Sequence, residues 1–266
     1  MKFYLLFLSS IFVFSCSSNP ENAVPVPVSL KVVKKITLST LNNDEENPQF
    51  EITVSDFAYQ NGQINKITLN DYETKIFEYD ENKITKIKKY YANVLHSENQ
   101  FTYLNDVLVS NSYIENGAPW LLNKFVIEDD KLQKVSYGDG PPEPYNLSEF
   151  LYVANNVSER KQSFPYYYSK SRYSNFDSKN NPFRNQNKYF KTIFSNWSPY
   201  GDDKLRISSN ENNPMTETIL SYGNELERTL SYTIQYDSDN FPIIIEGKDI
   251  LNNQLIVKYE YEYIAL

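Results

Sequence analysis

A single cysteine and a single histidine in 266 residues close off most side-chain catalysis before any motif is sought. Zinc sites draw on several Cys and His ligands, and a Ser-His-Asp or Cys-His arrangement would have to use His96. His96 sits in Val94-Leu95-His96-Ser97-Glu98, which reads as a polar turn before a strand, so a surface position is expected. Seven glycines leave no Walker or Rossmann phosphate loop. One cysteine excludes an internal disulfide. No run approaches the ~20 apolar residues of a transmembrane helix. Basic residues are also thinly spread at a net charge of −8. The densest groups are Lys86, Lys88 and Lys89, then Arg184, Lys188 and Lys191, and both read as solvated faces. Nucleic acid is therefore not an expected partner.

Carboxylates are plentiful, with 34 Asp and Glu, and a glycosidase needs only two. Asp80/Glu81, Asp129/Asp130, Asp202/Asp203 and Asp237/Asp239 all fall in expected turns, where hydrogen bonding to the backbone accounts for them. Asp237-x-Asp239 starts like a calcium loop, but Phe241 occupies the next ligand position and the loop glycine is missing. The sequence assigns no catalytic residue, metal site or cofactor. A non-enzyme is expected.

What is present begins with a leader. Lys2 precedes the 12-residue run Phe3–Phe14, of signal-peptide h-region length. Val13-Phe14-Ser15-Cys16 then resembles the lipobox of bacterial lipoproteins, in which the thiol accepts a diacylglyceryl group before cleavage. The resemblance implies a signal peptide over 1–15 and lipidation at Cys16, with Phe14 a mild departure from the usual small residue. Two or three acyl chains hold a protein where one would be marginal. By resemblance to the Gram-negative sorting rule, Ser17 favours the outer membrane. Asn19-Pro20-Glu21-Asn22 is loosely similar to the acidic export tag of surface lipoproteins in Bacteroidota. Either the periplasmic or the surface face fits. Residues 16–29 carry Cys16 and a Pro-rich tether whose Val24-Pro25-Val26-Pro27 favours polyproline II. From residue 17 onward it spans roughly 40 Å at about 3.1 Å per residue.

From 30 to 266 we read one all-β domain. Its signal is a repeated hairpin: Phe-x-Tyr, a polar turn, then an aliphatic residue. The copies are Phe57/Tyr59 with Ile64, Phe77/Tyr79 with Ile84, Phe101/Tyr103 with Leu108, Phe125/Ile127 with Leu132, and Phe150/Tyr152 with Val157. Residues two apart share a strand face, so each pair puts two rings on one side of the sheet, as core. The tetrads Gln60–Gln63, Asp80–Lys83, Glu128–Lys131 and Asp237–Asn240 carry hairpin-turn chemistry. One hairpin cannot bury its apolar face alone, so the copies should stack. The expected fold is a large antiparallel meander of roughly 18–20 strands, curled or layered. Residues 183–213 break the rhythm as a loop insert. Within it, Tyr189, Phe190, Ile193 and Phe194 predict a short helix near 187–195, read as a lid over the sheet end.

The segments Phe176–Phe183, Asn212-Asn213-Pro214 and Tyr236–Pro242 resemble the YD-type repeats of Bacteroidota envelope lipoproteins. That resemblance implies an all-β envelope lipoprotein and no particular chemistry. The leading expectation is a membrane-anchored, non-catalytic envelope protein that binds an envelope protein partner or serves a structural role. A second is glycan binding, with Trp120, Trp197 and Tyr200 as candidate stacking rings in loops. A third is a carrier for lipid or a small molecule, which needs an apolar cavity of roughly 300–1,000 Å³.

Overall fold

The computed structural model describes residues 30–42, 48–115, 117–138, 147–164, 167–196, 208–221 and 225–266. The leader, Cys16 and the tether lie outside the described residues. The first half holds β1 (Lys31–Asn42), β2 (Gln49–Gln60), β3 (Gln63–Leu69), β4 (Glu73–Asp80), β5 (Lys83–Tyr91), β6 (Val94–Leu104), β7 (Val107–Glu115) and β8 (Ala118–Glu128). Next come β9 (Lys131–Tyr137), β10 (Leu147–Val153), β11 (Asn156–Phe164) and β12 (Tyr167–Phe176). A helix, α1 (Lys188–Asn196), precedes β13 (Pro214–Leu220), β14 (Leu226–Tyr236), β15 (Pro242–Asp249) and β16 (Leu255–Ala265).

These sixteen strands form one closed antiparallel barrel in which each strand pairs with its sequence neighbours and β1 pairs with β16. This corrects the expected curled or layered sheet meander of 18–20 strands. The cause is visible in the repeat. Tyr59 opposes Ile64 but Ala58 opposes Lys66, which leaves Asn65 as an extra residue, a β-bulge. The same slip recurs at Tyr79/Ile84, Tyr103/Leu108, Ile127/Leu132, Tyr152/Val157 and Tyr236/Pro242. A bulge at one level of hairpin after hairpin bends and twists the sheet the same way each time. The coil ends with β16 beside β1, which removes both edges.

The turns follow from their residues. Asn61 and Gly62 both adopt positive φ, as do Asp129 and Asp130, the geometry that suits a two-residue hairpin loop. The Phe-x-Tyr pairs face inward as expected, and each tyrosine reaches back one hairpin. Tyr79 donates to the Ile64 carbonyl at 2.8 Å, Tyr103 to Ile84 at 2.8 Å and Tyr152 to Leu132 at 3.0 Å. The aliphatic residue that opens one returning strand thus accepts from the next copy's tyrosine. Burial pushes the Tyr152 phenol up to about 12, so it stays a donor.

The insert is a plug. Asn187 caps α1 by accepting from the Tyr189 amide at 2.8 Å. The buried face of the insert puts Phe183, Phe190, Ile193 and Phe194 among Phe57, Phe77 and Phe101 of the barrel wall. Phe190 and Phe194 stack with ring centroids 4.4 Å apart. Polar groups around it are tied to the hairpin turns: Tyr189 donates to the Asp106 carbonyl, and Asn187 to that of Asn82. The helix stands where the spacing predicted it, at the hairpin-turn end of the barrel, with its apolar face packed against the inward rings of the wall. Four rings and an Ile on one short segment find a matching apolar surface only inside.

The barrel's outward face carries charge. By strand alternation, Lys35–Glu262, Glu78–Lys88, Lys86–Glu98, Glu149–Lys161 and Arg172–Glu159 are outward ion pairs, at 2.5–3.5 Å. Among the described residues no helix is long and apolar enough to cross a membrane.

Candidate ligand cavity in the barrel lumen

Most of the candidates read from the sequence do not converge. Cys16, Trp197, Tyr200 and the Asp202/Asp203 pair lie outside the described residues. Trp120 belongs to β8, not to a loop: Gly117 takes the positive φ of the turn, so the strand begins at Ala118. Its side chain is outside the described residues. His96 is likewise within β6 rather than in a turn, because Ala92 and Asn93 already make the reversal. Its Nε2 lies 3.1 Å from Glu115 Oε1 and its ring 4.9 Å from that of Tyr91.

The carboxylate pairs Asp80/Glu81 and Asp129/Asp130 occupy hairpin turns. Asp237 and Asp239 hold a cation of the chain itself, Lys31 Nζ at 2.6 and 2.8 Å. Asp237 also accepts from the amides of Asp239 and Phe241. Burial pushes its pKa up, but Lys31 and these amides together outweigh it and hold the carboxyl below its usual range. Among the described residues no group of His, Cys, Asp and Glu is placed to hold a metal. The three YD-like segments do meet. Asp177 accepts from Tyr236 and from both the amide and the side chain of Asn213, and Asn180 donates to the Asn240 carbonyl.

The polar lining of the lumen was not legible in the sequence. On the β4–β8 side the polar lining starts from Lys75, which is 3% exposed and 3.0 Å from Glu73, whose other oxygen meets Lys89 at 3.0 Å. Burial raises the Glu73 pKa, but the two lysines outweigh it and the net shift is downward. Beside them an amide ladder runs across three strands, Asn123 to Asn111 to Asn99, at 3.1 and 2.8 Å.

Across the barrel, on the β12–β16 side, the plug leaves room. A cavity of about 200 Å³ is walled by Leu38, Ile219, Leu230, Ile234, Ile245 and Val257, with Tyr173, Tyr232 and Tyr259 among its rings. Two buried polar residues break this apolar lining. Glu217 is 7% exposed and accepts a 2.6 Å hydrogen bond from the Tyr232 hydroxyl at Oε2. Its Oε1 is buried with no hydrogen-bond partner, and Glu217 forms no ion pair among the described residues. Asn213 is fully buried. Its amide nitrogen donates to Asp177 and to the Asn180 carbonyl, which fixes the side chain's orientation and leaves Oδ1 without a partner.

Burial first, then the charge of Glu217, pushes the Tyr232 phenol far above its usual range. It remains a proton donor. Tyr232 opposes Gly247 across β14 and β15, and only a glycine there leaves room for the ring. The sequence carried faint signs of this site: a carboxylate at an inward position of Pro214–Leu220, and a lone glycine inside a strand. Among the described residues of the cavity lining, Glu217 is the one carboxylate.

No family model and no curated protein matches the chain. Among solved structures, a porin-like protein from Bacteroides uniformis is similar over 87% of this chain and 98% of its own, with a TM-score of 0.56 at 11% identity. A porin-like protein from Bacteroides vulgatus aligns over 89% and 100%, with a TM-score of 0.41 at 13% identity. At such identity the likeness to the first is one of fold, and it establishes that this chain shares an all-β barrel with a Bacteroides protein described as porin-like.

Proposed function

We propose that this chain is a non-catalytic binding protein of the bacterial envelope, lipidated at Cys16 and tethered beside the membrane, with the barrel lumen as its binding compartment. The observation that carries the reading is the polarity of the two barrel surfaces. A barrel that spans lipid turns an apolar band outward, and a Lys or Arg at mid-bilayer there costs about 2–4 kcal/mol. Here ion pairs face outward, and the aromatic rings and the plug face inward. Such an outer surface suits water. The tether supports the same geometry, since it joins the barrel at Leu30, which exchanges backbone hydrogen bonds with Leu266 at the plugged end.

Fractionation tests this. The wild-type protein should follow the membranes, and a version in which residues 1–16 are replaced by a leader cleaved without lipidation should be found in the soluble fraction. If that version stays in membranes through an alkaline wash, the barrel itself is embedded and the reading falls. Protease treatment of intact and lysed cells then assigns the face. Loss of a C-terminal tag on intact cells places the barrel outside, and loss only after lysis places it in the periplasm.

A further inference from the structure

We propose that the cavity between β12 and β16 binds a small organic ammonium ion, whose cationic group pairs with Glu217 Oε1 and whose apolar body fills the space. The inference rests on the reading of the lumen as a binding compartment and adds the chemistry of its ligand. Three observations lead to it. The first is size. A cavity near 150 Å³ lined by aliphatic and aromatic residues holds benzene. The about 200 Å³ here fits a ring with one or two further heavy atoms.

The second is charge. A buried carboxylate with one oxygen unsatisfied is costly, and that cost is relieved by a donor, most of all by a cationic one. Tyr232 occupies one side of the carboxylate as a neutral donor. The free oxygen asks for another, and the described residues supply none. The third is a second buried acceptor. Asn213 is also a residue of the cavity lining, and its Oδ1 lacks a partner, its amide nitrogen being already committed. The unsatisfied oxygens of Glu217 and Asn213 are both acceptors and call for a donor. A carboxylate or phosphate ligand would meet repulsion.

The test uses the purified full chain in detergent, titrated calorimetrically with benzylamine, benzyl alcohol and benzoate, which differ in charge at nearly constant size. Benzylamine should bind, benzyl alcohol more weakly, and benzoate not at all. Glu217→Gln keeps the shape and an acceptor for Tyr232, and should weaken benzylamine by about 10- to 100-fold, the range of a charge-assisted hydrogen bond. Ile219→Phe fills the cavity without touching the carboxylate and should weaken the amine and the alcohol alike. Thermal melts of both variants check that they fold. If the alcohol binds as tightly as the amine, or Glu217→Gln changes nothing, the ammonium assignment is overturned while the lumen remains a binding compartment. If none of the three probes binds, the lumen reading falls with it.

Discussion

The ring of Tyr232 lies over Gly247, its directly opposed partner across β14 and β15, so closely that a Cβ on the glycine would come within 2.7 Å of the ring and of Val257 Cγ1. Glycine is a poor strand residue, and replacing it by alanine at an unhindered position would stabilise the strand. Here the steric cost should win. Gly247→Ala is expected to lose about 1–3 kcal/mol, the scale of overpacking a core, in chemical denaturation. A neutral or stabilising result would mean that the ring has room to move away from Glu217.

The tyrosine bonds between hairpins make a second case. Tyr79→Phe keeps the ring and removes only the hydroxyl that donates to Ile64. The loss should be about 1 kcal/mol, with the Ile64 carbonyl left beside the bulge without that donor. Tyr72→Phe, at an exposed ring, should stay within about 0.5 kcal/mol of wild type. Equal effects at the two positions would show that the repeated hydroxyl does not tie the hairpins together.

That repeat was the most legible part of the chain. Phe-x-Tyr spacing gave inward rings, and the Asn, Asp and Gly tetrads gave the turns, because both depend on residues within one hairpin. Closure was not legible. It depends on Lys31 meeting Ala265, and on bulges whose cumulative bend no single hairpin announces. The same holds for the insert. Near-helical spacing of Tyr189, Phe190, Ile193 and Phe194 shows a helix with one apolar face, but only a closed barrel with a vacant end gives that face a lumen to enter. Glu217 was hardest of all. Among 34 acidic residues, an inward carboxylate without an ion pair among the described residues stands out only once strand parity and its neighbours are known.

Acid should expose the ion pairs inside the barrel. Burial opposes ionisation of Glu73, but Lys75 and Lys89 together lower its folded pKa below the ordinary 4.5. A lowered acid contributes stability that is fully present above its unfolded pKa and is lost as pH falls through the folded one. Stability should therefore hold at neutral pH and drop below about pH 4.5. Glu73→Gln leaves two lysines in the lumen without their carboxylate. It should destabilise at pH 7 by up to the ~3–5 kcal/mol of a broken buried pair, and flatten this part of the acid profile. An unchanged acid profile would assign the dependence to the outward pairs.

The plug makes the sharpest demand on the fold. Phe190 is buried and touches Phe77, Phe183 and Phe194, so Phe190→Ala removes a ring from the centre of the largest apolar cluster. Deleting a buried Phe costs about 3–5 kcal/mol when the site cannot collapse. A barrel wall held by its own hydrogen-bond ladder should resist collapse, which places the loss at the upper end. Hydrogen exchange can separate two ways of losing it. If the plug and the barrel fold as one unit, amides of α1 and of β4 should lose protection together in Phe190→Ala. If α1 alone loses protection while β4 is unaffected, the barrel stands without its plug, and the insert is then a removable stopper for the lumen.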